Sequence, residues 1–528
     1  MKSTMRVRRA LIAAALTCSM GASVAACVAS GGTAGSPTDA GPPKAGGTLR
    51  VAIPSIPPTI DPNATSLQAA WLTAQQACEG LYAVGNDFAI KPMLVDNDTY
   101  DAAAKTYTFT LRSGITFHDG SPLTATDAVD SINRFMQTPG NGAILKTLTE
   151  SLTAVDQLTL RLVLKQPSAV VPTLLSTAYI QPSKYVRDRP ISEPVDKLVC
   201  TGPYQVADYK ADQYIKLTRF AGYQSRTDPS DGAAGAKHAY ADEIEFIPTP
   251  DNAARQNLVT TGGAEVAQSL PLDNLDTLKS TAGAQAVLSP PITSSTVVLN
   301  EKSGPMANLA MRQAFQAALN MSSILQAAFG NPDAYGVDGS IIQAPNKQWH
   351  SEVGTDPYNK PDLAKVKALL AQAGYHGEKI RWLTTQDDPT WYGPALPAQQ
   401  QLKDAGINVE LVTSDLATLI SRRNNPDQWD VFSSGIPTYA DPLLLPYLQD
   451  SFPGWWTDAQ KNSLLTRLAT ETDQTQRKAA WEQLQSLVYT QVPFLKFGDT
   501  RVLFAASTKV HGLENQTQPL YFNVWMSS

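Results

Sequence analysis

Hydrophobic residues recur at every second position in several short segments of the first half of the chain. Tyr107, Phe109 and Leu111 alternate with threonines, and leucines occupy positions 158, 160, 162 and 164. Successive side chains of a strand point to opposite faces, so this spacing predicts strands with one buried face. Four further segments with strand character are bounded by glycine, proline or aspartate: Thr48–Ile53, Tyr214–Arg219, Asp242–Ile247 and Ser295–Asn300.

After Pro305 the hydrophobic spacing becomes that of helices. The clearest helix begins near Pro361, which suits a first helical turn, and ends at Gly374, where a left-handed residue is favoured. Other segments predict one or two helices over 309–325, a helix over 396–405, a strand over 407–412 and a helix over 481–488. Neither half contains an internal repeat. The sequence therefore predicts an α/β fold whose two halves form different lobes.

The first 26 residues have the arrangement of a bacterial export signal. Basic side chains precede an apolar stretch at 11–24, which is short for a bilayer span, and Ala25 and Ala26 form a small-residue processing site. Cys27 follows directly, at the position where a bacterial lipoprotein receives its diacylglycerol. We expect this signal peptide to be removed and Cys27 to carry a lipid. An ordinary signal peptide followed by an incidental cysteine is the alternative.

Residues 27–46 consist mainly of glycine, serine, threonine, proline and alanine, which predicts a disordered tether. Removal of the signal peptide from the 528 residues leaves 502, more than one hydrophobic core usually serves. The net charge of −6 and the absence of a long Lys/Arg cluster argue against nucleic-acid binding. No later apolar run is long enough for a transmembrane helix. We therefore expect a lipid-anchored body of at least two lobes on the outer face of the cell membrane.

Two cysteines, Cys78 and Cys200, remain in the predicted folded body. Thiols outside the cytoplasm can form a disulfide, although two separate buried thiols are the alternative. The chain has no Cys-x-x-Cys and only five histidines, none paired at metal-ligand spacing. We therefore expect neither a metal site nor a cofactor.

Several motifs together resemble the family 5 extracellular solute-binding proteins, the peptide/nickel-type receptors of ATP-binding-cassette (ABC) importers. Each motif is weak alone, but they occur in the family's order and cover nearly all of the mature chain. They are Gly46–Leu49 with Ile60–Pro62, Glu79–Leu81, Thr106–Arg112, Phe117–Gly120, Leu123–Ala125, Asp127–Val129, Thr201–Tyr204, Met311–Ala314, Ala317–Asn320, Lys365–Tyr375, Trp429–Asp430 and Ala440–Pro442.

This resemblance implies a two-lobe periplasmic-binding-protein fold with a hinge and a ligand cleft between the lobes. Lobe I would comprise residues 47–299, with an extra subdomain inserted at about 91–190, and lobe II would comprise 300–497. Residues 498–528 would return to lobe I. A cleft between hinged lobes can enclose a ligand and change shape on binding it. Closure would then be recognised by the subunits of an ABC permease.

The resemblance favours a monomeric receptor for a small organic solute, with a short peptide favoured over an oligosaccharide or a metal complex. A secreted hydrolase is the alternative from another class. No Gly-x-Ser-x-Gly, His-Glu-x-x-His or phosphate-binding glycine loop supports it. His118 and Asp119 could form an acid/base pair, but their motif matches a loop that is structural in the family. We therefore predict that the protein is not an enzyme.

The segment from Gly435 to Pro442 matches the stretch where peptide-binding members keep an aspartate for the ligand's α-ammonium. In this chain the corresponding residue is Thr438. A buried ammonium without a carboxylate partner is unfavourable. We therefore hypothesise that Thr438, Tyr439 and Trp391 line a cleft that tolerates N-blocked, cyclic or non-peptide solutes.

Two carboxylates could replace the missing aspartate. Glu79 lies on a predicted helix after Cys78, where a solvated or hinge-facing side chain is the alternative to ligand contact. Asp441 precedes Pro442, so a turn-capping role is the alternative there. Trp391 is flanked by proline and glycine, which predicts a loop in which the ring either stacks on a ligand or seals a lobe surface. These residues complete the predicted ligand-binding set.

Overall fold

The computed structural model describes residues 41–65, 67–513 and 519–527. The predicted signal peptide, Cys27 and most of the predicted tether lie outside these residues. The described strands are, in chain order, β1 (Thr48–Ile53), β2 (Tyr82–Val84), β3 (Ile90–Pro92), β4 (Val95–Asp101), β5 (Thr106–Leu111), β6 (Thr149–Ala154), β7 (Thr159–Leu164), β8 (Tyr204–Lys210), β9 (Tyr214–Arg219), β10 (Glu243–Pro248), β11 (Val266–Leu270), β12 (Ala284–Leu288), β13 (Thr293–Leu299), β14 (Tyr335–Gly336), β15 (Ile380–Thr384), β16 (Val409–Thr413), β17 (Val431–Pro437), β18 (Phe494–Thr500), β19 (Leu503–Ser507), β20 (Val510–His511) and β21 (Trp525–Met526).

The described α-helices are α1 (Gln68–Ala77), α2 (Ala125–Phe135), α3 (Asn141–Leu148), α4 (Val171–Leu175), α5 (Ser183–Val186), α6 (Asn252–Thr260), α7 (Leu275–Ser280), α8 (Leu309–Ala317), α9 (Met321–Phe329), α10 (Leu363–Ala373), α11 (Pro389–Asp404), α12 (Leu416–Arg422), α13 (Ala459–Thr470) and α14 (Gln474–Gln491). The segment 309–325 thus forms parts of two helices, α8 and α9. Gly374 ends α10 with φ 68°, as predicted. No helix within the described ranges has both the length and the apolar character needed to span a bilayer.

The first large sheet has the strand order β12-β19-β11-β1-β10-β9-β8. Strand β1 lies near its centre and runs parallel to both β10 and β11. Leu49, Val51 and Ala52 are fully buried, so both faces of β1 are covered. Burial on both faces explains why this strand reads as an apolar run rather than as a strict alternation.

A separate antiparallel sheet, with the order β4-β5-β7-β6, lies between β1 and β8 along the chain. Tyr107, Phe109 and Leu111 are buried, while the threonines between them are half-buried. This is the one-sided burial that the sequence pattern predicted. Helix α2 packs on this sheet, and its N-terminus has a reciprocal capping box between Thr124 and Asp127.

The second large sheet has the order β14-β18-β13-β17-β15-β16. Strand β13 pairs with both β17 and β18, so the second sheet begins at Thr293 and its last strand ends at Thr500. The predicted lobe boundaries, 299/300 and 497/498, do not coincide with the ends of this sheet, since the first leaves β13 outside it and the second cuts through β18. These boundaries came from the family resemblance, and an alternating strand pattern carries no information about which sheet a strand joins.

The chain crosses between the two large sheets twice, at residues 289–292 and at residues 501–502, which we call the crossing segments. Ser289 N–H donates to the carbonyl oxygen of Val502 (2.9 Å), and Val502 N–H donates to the Ser289 hydroxyl (2.8 Å). Arg501 Nη1 donates to the Ser289 carbonyl (2.8 Å). The two crossing segments are thus tied to each other where a hinge between the sheets would lie.

Candidate functional site

A cavity of about 240 Å³ lies between the elements of the first half and the segment that follows β17. We call it the inner cavity. One wall is formed by α1, by the residues after it and by helices that pack near the four-stranded sheet. The opposite wall is formed by Thr438, Tyr439, Ala440 and Leu444. The remaining lining residues are Trp71, Gln75, Cys78, Glu79, Gly80, Tyr82, Ala83, Val84, Phe88, Met93, Asn141, Thr173, Ser176, Thr177, Tyr179, Ala233, Lys237 and Leu520.

Glu79 lies in this wall and is almost fully buried, with 2% of its surface exposed. Its Oε1 accepts hydrogen bonds from Tyr223 Oη (2.8 Å) and Lys237 Nζ (3.3 Å), and its Oε2 accepts one from Thr201 Oγ1 (3.0 Å). Helix α1 ends at Ala77 with Cys78 as its C-cap, so Glu79 does not lie on the helix as predicted. The carboxylate is neither solvated nor free, because the protein itself satisfies both oxygens.

Lys237 supplies the positive charge that balances Glu79. It is 3% exposed, and its Nζ lies 5.0 Å from the centre of the Phe522 ring. Burial lowers the pKa of Lys237, and the Glu79 charge acts in the opposite direction. Among the described residues that line the inner cavity, Glu79 and Lys237 carry the only formal charges, and these cancel. The cavity therefore presents no uncompensated charge to a solute.

Cys78 and Cys200 form a disulfide bond directly beside this pair. Each cysteine is followed by a residue of the site, Glu79 after Cys78 and Thr201 after Cys200. The side chains of Glu79 and Thr201 are hydrogen-bonded to each other. His118 holds the same segment, because its Nδ1 accepts from Cys200 N–H (3.2 Å) and its Nε2 donates to the Gly202 carbonyl (3.1 Å). Burial lowers the pKa of His118 to about 4, so the ring is neutral and binds with both nitrogens.

Thr438 lines the opposite wall, but its hydroxyl is already used. Both its N–H (2.8 Å) and its Oγ1 (2.9 Å) donate to the carbonyl oxygen of Ile292, in the first crossing segment. Tyr439 also lines the cavity, and burial raises the pKa of its phenol. Glu79, Thr438 and Tyr439 are thus the three members of the predicted ligand-binding set that the structure brings together around one cavity.

Asp441 does not line the inner cavity. Its Oδ2 accepts a hydrogen bond from Arg477 Nη2 (2.7 Å), and its Oδ1 accepts one from Leu443 N–H (3.0 Å). Burial raises the pKa of this carboxyl, and the Arg477 charge opposes that rise. Asp441 therefore caps a turn, which was the alternative for this residue in the sequence analysis. It also forms a buried ion pair with Arg477.

Trp391 lies in the first turns of α11 and not in a loop as predicted. The prolines that suggested a loop are accommodated: Pro394 cannot donate to the Thr390 carbonyl, which instead accepts from Ser295 Oγ (2.6 Å). The indole packs against Gly435, where a β-carbon would come within 2.9 Å of Nε1. Trp391 therefore packs against strand β17 and does not line the inner cavity.

A second, more open cavity of about 810 Å³ lies beside the crossing segments. It is lined by Pro54, Pro250, Leu270 and Gln386, which stand at the carboxyl ends of β1, β10, β11 and β15. Ligands of α/β sheets commonly bind at this edge of parallel strands. Thr390 and Tyr392, the neighbours of Trp391, also line it. The cleft between the two sheets thus has a smaller inner cavity of about 240 Å³ and a larger outer one of about 810 Å³.

The comparisons with known proteins identify the family. A family model described as "Bacterial extracellular solute-binding proteins, family 5 Middle" matches residues 89–454. The chain belongs to this family. A probable peptide ABC transporter periplasmic-binding protein of Sinorhizobium fredii is 27% identical to this family 5 protein over 506 residues, covering 90% of this chain and 93% of the relative. The glutathione-binding protein of Salmonella typhi is 24% identical over 489 residues, covering 88% and 91%.

A solved structure confirms the fold of this family 5 protein. The ABC transporter substrate-binding protein CtaP of Listeria monocytogenes superimposes with a TM-score of 0.81 at 21% identity, covering 92% of this chain and all of that one. The predicted two-lobe fold is therefore correct. Each large sheet forms the centre of one lobe, and the inner cavity lies between the two.

Sequence reasoning missed most of the lining residues of this family 5 protein, among them Lys237 and Gln75. Lys237 lies in a stretch without helical or strand periodicity, and Gln75 is one of two adjacent glutamines in α1. Neither position carries a local signal, because their importance depends on contacts that only the fold creates. Among the described residues, no three His, Cys, Asp or Glu side chains are grouped to hold a metal ion.

Proposed function

We propose that this protein is a lipid-anchored extracytoplasmic receptor that captures a short peptide and delivers it to an ABC import permease, with no free ammonium at the end of the peptide that lies in the inner cavity. The observation that carries the proposal is the inner cavity between the lobes, whose charged lining residues neutralise each other. A cyclic or non-peptide neutral solute would fit the same cavity. The family assignment and the names of the relatives support the receptor role.

The charge balance of the cavity supports the absence of a free ammonium on the enclosed solute. Glu79 is paired with Lys237, and Asp441 is paired with Arg477, so both candidate carboxylates are engaged by cations of the protein. The Thr438 hydroxyl donates to Ile292. An ammonium buried against this wall would have no carboxylate partner for its charge, which is unfavourable. A neutral amide or acylated terminus avoids this cost.

The size of the inner cavity and the two curated relatives support a small peptide-like solute. At about 240 Å³ the cavity is somewhat smaller than the roughly 300–1,000 Å³ of drug-sized ligand sites. A longer solute would have to extend toward the open outer cavity. One relative is named for peptide transport and the other for binding glutathione, a tripeptide. Both names are consistent with a compact solute that carries amide groups.

Isothermal titration calorimetry with matched peptides tests the proposed solute class. We expect N-acetylated di- to tetrapeptide amides to bind at least tenfold more tightly than the same amides with a free amine, about 1.4 kcal/mol. C-terminal amidation removes the carboxylate, so that the amine is the only charge that differs within each pair. A tenfold preference of the wild-type protein for the free amine would show that an ammonium anchor exists elsewhere.

Two variants of Thr438 serve as matched controls for that measurement. Thr438→Asp adds an unpaired carboxylate to the cavity wall and is expected to improve the binding of free-amine peptides. Thr438→Val removes the same bond to Ile292 without adding charge, so it should leave the preference for acetylated peptides unchanged. If both variants changed the affinity for free-amine peptides equally, the lost hydrogen bond to Ile292 and not the added charge would be the cause.

The anchor at Cys27 predicts where the protein is found after export. Cys27→Ser is expected to move most of the protein from the membrane fraction to the supernatant, because an uncleaved signal segment of this length holds weakly without the lipid. Fractionation followed by immunoblotting measures the ratio. Cys18→Ser, within the same signal, is the control and should remain at the membrane. Equal retention of both variants would contradict lipidation at Cys27.

A further inference from the structure

The wall of the inner cavity contains a glutamine, Gln75, whose side chain has no hydrogen-bond partner among the described residues. Gln75 lines the cavity, and its Oε1 is buried without a hydrogen bond to any described residue. No described group bonds its Nε2 either. Gln75 is half-buried, and it is its oxygen that is buried. A buried oxygen without a partner lowers stability, so such an atom in a binding site indicates a bond that another molecule completes.

The neighbouring glutamine on α1, Gln76, differs from Gln75 because its side-chain amide is hydrogen-bonded within the protein at both ends. Gln76 Nε2 donates to the carbonyl oxygens of Leu72 (3.1 Å) and Pro519 (3.4 Å). Its Oε1 accepts from the N–H groups of Tyr521 (2.8 Å) and Phe522 (3.4 Å). Gln76 therefore ties α1 to the C-terminal segment. Gln75, one residue earlier on the helix, makes none of these bonds.

The position of Gln75 on α1 directs it toward a solute. Trp71 and Gln75 lie four residues apart and so share one face of α1, and the C-cap Cys78 follows three residues after Gln75. All three line the inner cavity. The amide thus lies between an aromatic ring one turn before it and the disulfide one turn after it.

We propose that Gln75 is a specificity-determining residue whose side-chain amide pairs with an amide of the solute. A carboxamide offers a donor and an acceptor side by side, and its terminal torsion can exchange their positions. One residue of an extended peptide presents its own N–H and C=O to the same side, as paired residues of antiparallel strands do. Gln75 and that residue can therefore form two hydrogen bonds in a cavity without net charge.

This inference rests on the proposed receptor function, and a substitution that removes only the amide tests it. Gln75→Met keeps the length and apolar stem of the side chain. The probes are the N-acetylated tripeptide amide that wild-type protein binds most tightly, and its analogues with each amide replaced in turn by an ester. We expect Gln75→Met to weaken binding of the all-amide probe at least fivefold. The ester analogue that lacks the paired N–H has lost one of the two bonds, so it should show the smallest difference in affinity between wild type and variant.

Thermal unfolding of the ligand-free variants separates recognition from a structural role. Because Gln75 makes no bond to the described protein, Gln75→Met should keep or raise the melting temperature. Gln400→Met, the same change at an exposed position of α11, is the matched control and should alter neither affinity nor melting temperature. A melting temperature several degrees lower in Gln75→Met, or equal weakening for every ester analogue, would overturn the proposal.

The outcomes also distinguish this inference from the proposed function. If wild type binds the acetylated amides and Gln75→Met binds all of them equally well, the receptor function stands and the role of Gln75 is refuted. If wild type binds none of them, the proposed solute class and the role of Gln75 are refuted together.

Discussion

Replacing Lys237 with methionine is expected to lower the free energy of unfolding by about 3–5 kcal/mol, the usual cost of leaving one partner of a buried ion pair uncompensated. Glu79 would keep its bonds from Tyr223 and Thr201 but lose its only cation among the described residues. Methionine fills most of the space of the lysine stem, so the lost charge dominates the effect. Urea unfolding followed by tryptophan emission measures the change.

Two further variants control for this result. Glu79→Gln combined with Lys237→Met removes both charges, and we expect the double variant to recover part of the lost stability. Lys184→Met breaks the exposed pair with Asp119 and should leave stability nearly unchanged. If Lys237→Met alone unfolded with the same free energy as the wild type, the pair of Glu79 and Lys237 would not be buried as the structure has it.

Removing the disulfide is expected to have an effect of similar size. The Cys78→Ser/Cys200→Ser variant should lose about 3–5 kcal/mol of stability in the chain-entropy estimate, because the bond joins positions 122 residues apart. We also expect weaker solute binding, since the bond aligns the segments that carry Glu79 and Thr201. Denaturant titrations and calorimetry on the same preparations measure both effects.

Reduction of the wild-type protein provides the control for the serine substitutions. Wild type in a reducing buffer should unfold at the same denaturant concentration as the double variant, while the double variant should not respond to reductant. Peptide mapping under non-reducing conditions checks the bond itself. Free thiols at both positions in the folded wild type would contradict the bridge.

Local patterns predicted the elements well, because local spacing decides them. The predicted strands Thr48–Ile53 and Tyr214–Arg219 have the observed bounds of β1 and β9, and Gly374 ends α10 in the left-handed conformation. The prediction of a loop at Trp391 was wrong, and the reason lies outside the local sequence. Its neighbouring prolines look like helix breakers, but the Ser295 hydroxyl from another element bonds the carbonyl that Pro394 leaves free.

The site could be predicted only in part, because contacts between residues far apart in the sequence leave no local pattern. Glu79, Thr438 and Tyr439 were found because they lie within or beside family motifs. Lys237 is 158 residues from Glu79, and no pattern in the sequence joins the two. The ion pair of Asp441 with Arg477 is equally non-local. Partners that meet through topology are invisible to periodicity, and they decide which candidate carboxylates are available to a solute.

The second crossing segment has a consequence for how the protein matures after secretion. It leads into β19, which pairs with both β11 and β12, although more than 200 residues separate β12 from β19 along the chain. The first sheet therefore cannot close until nearly the whole polypeptide has left the translocation channel. Until then β11 and β12 present open edges, the kind of surface that promotes aggregation. A chain truncated before Leu503 would keep those edges open permanently, so loss of the last 26 residues should be as damaging as loss of a lobe.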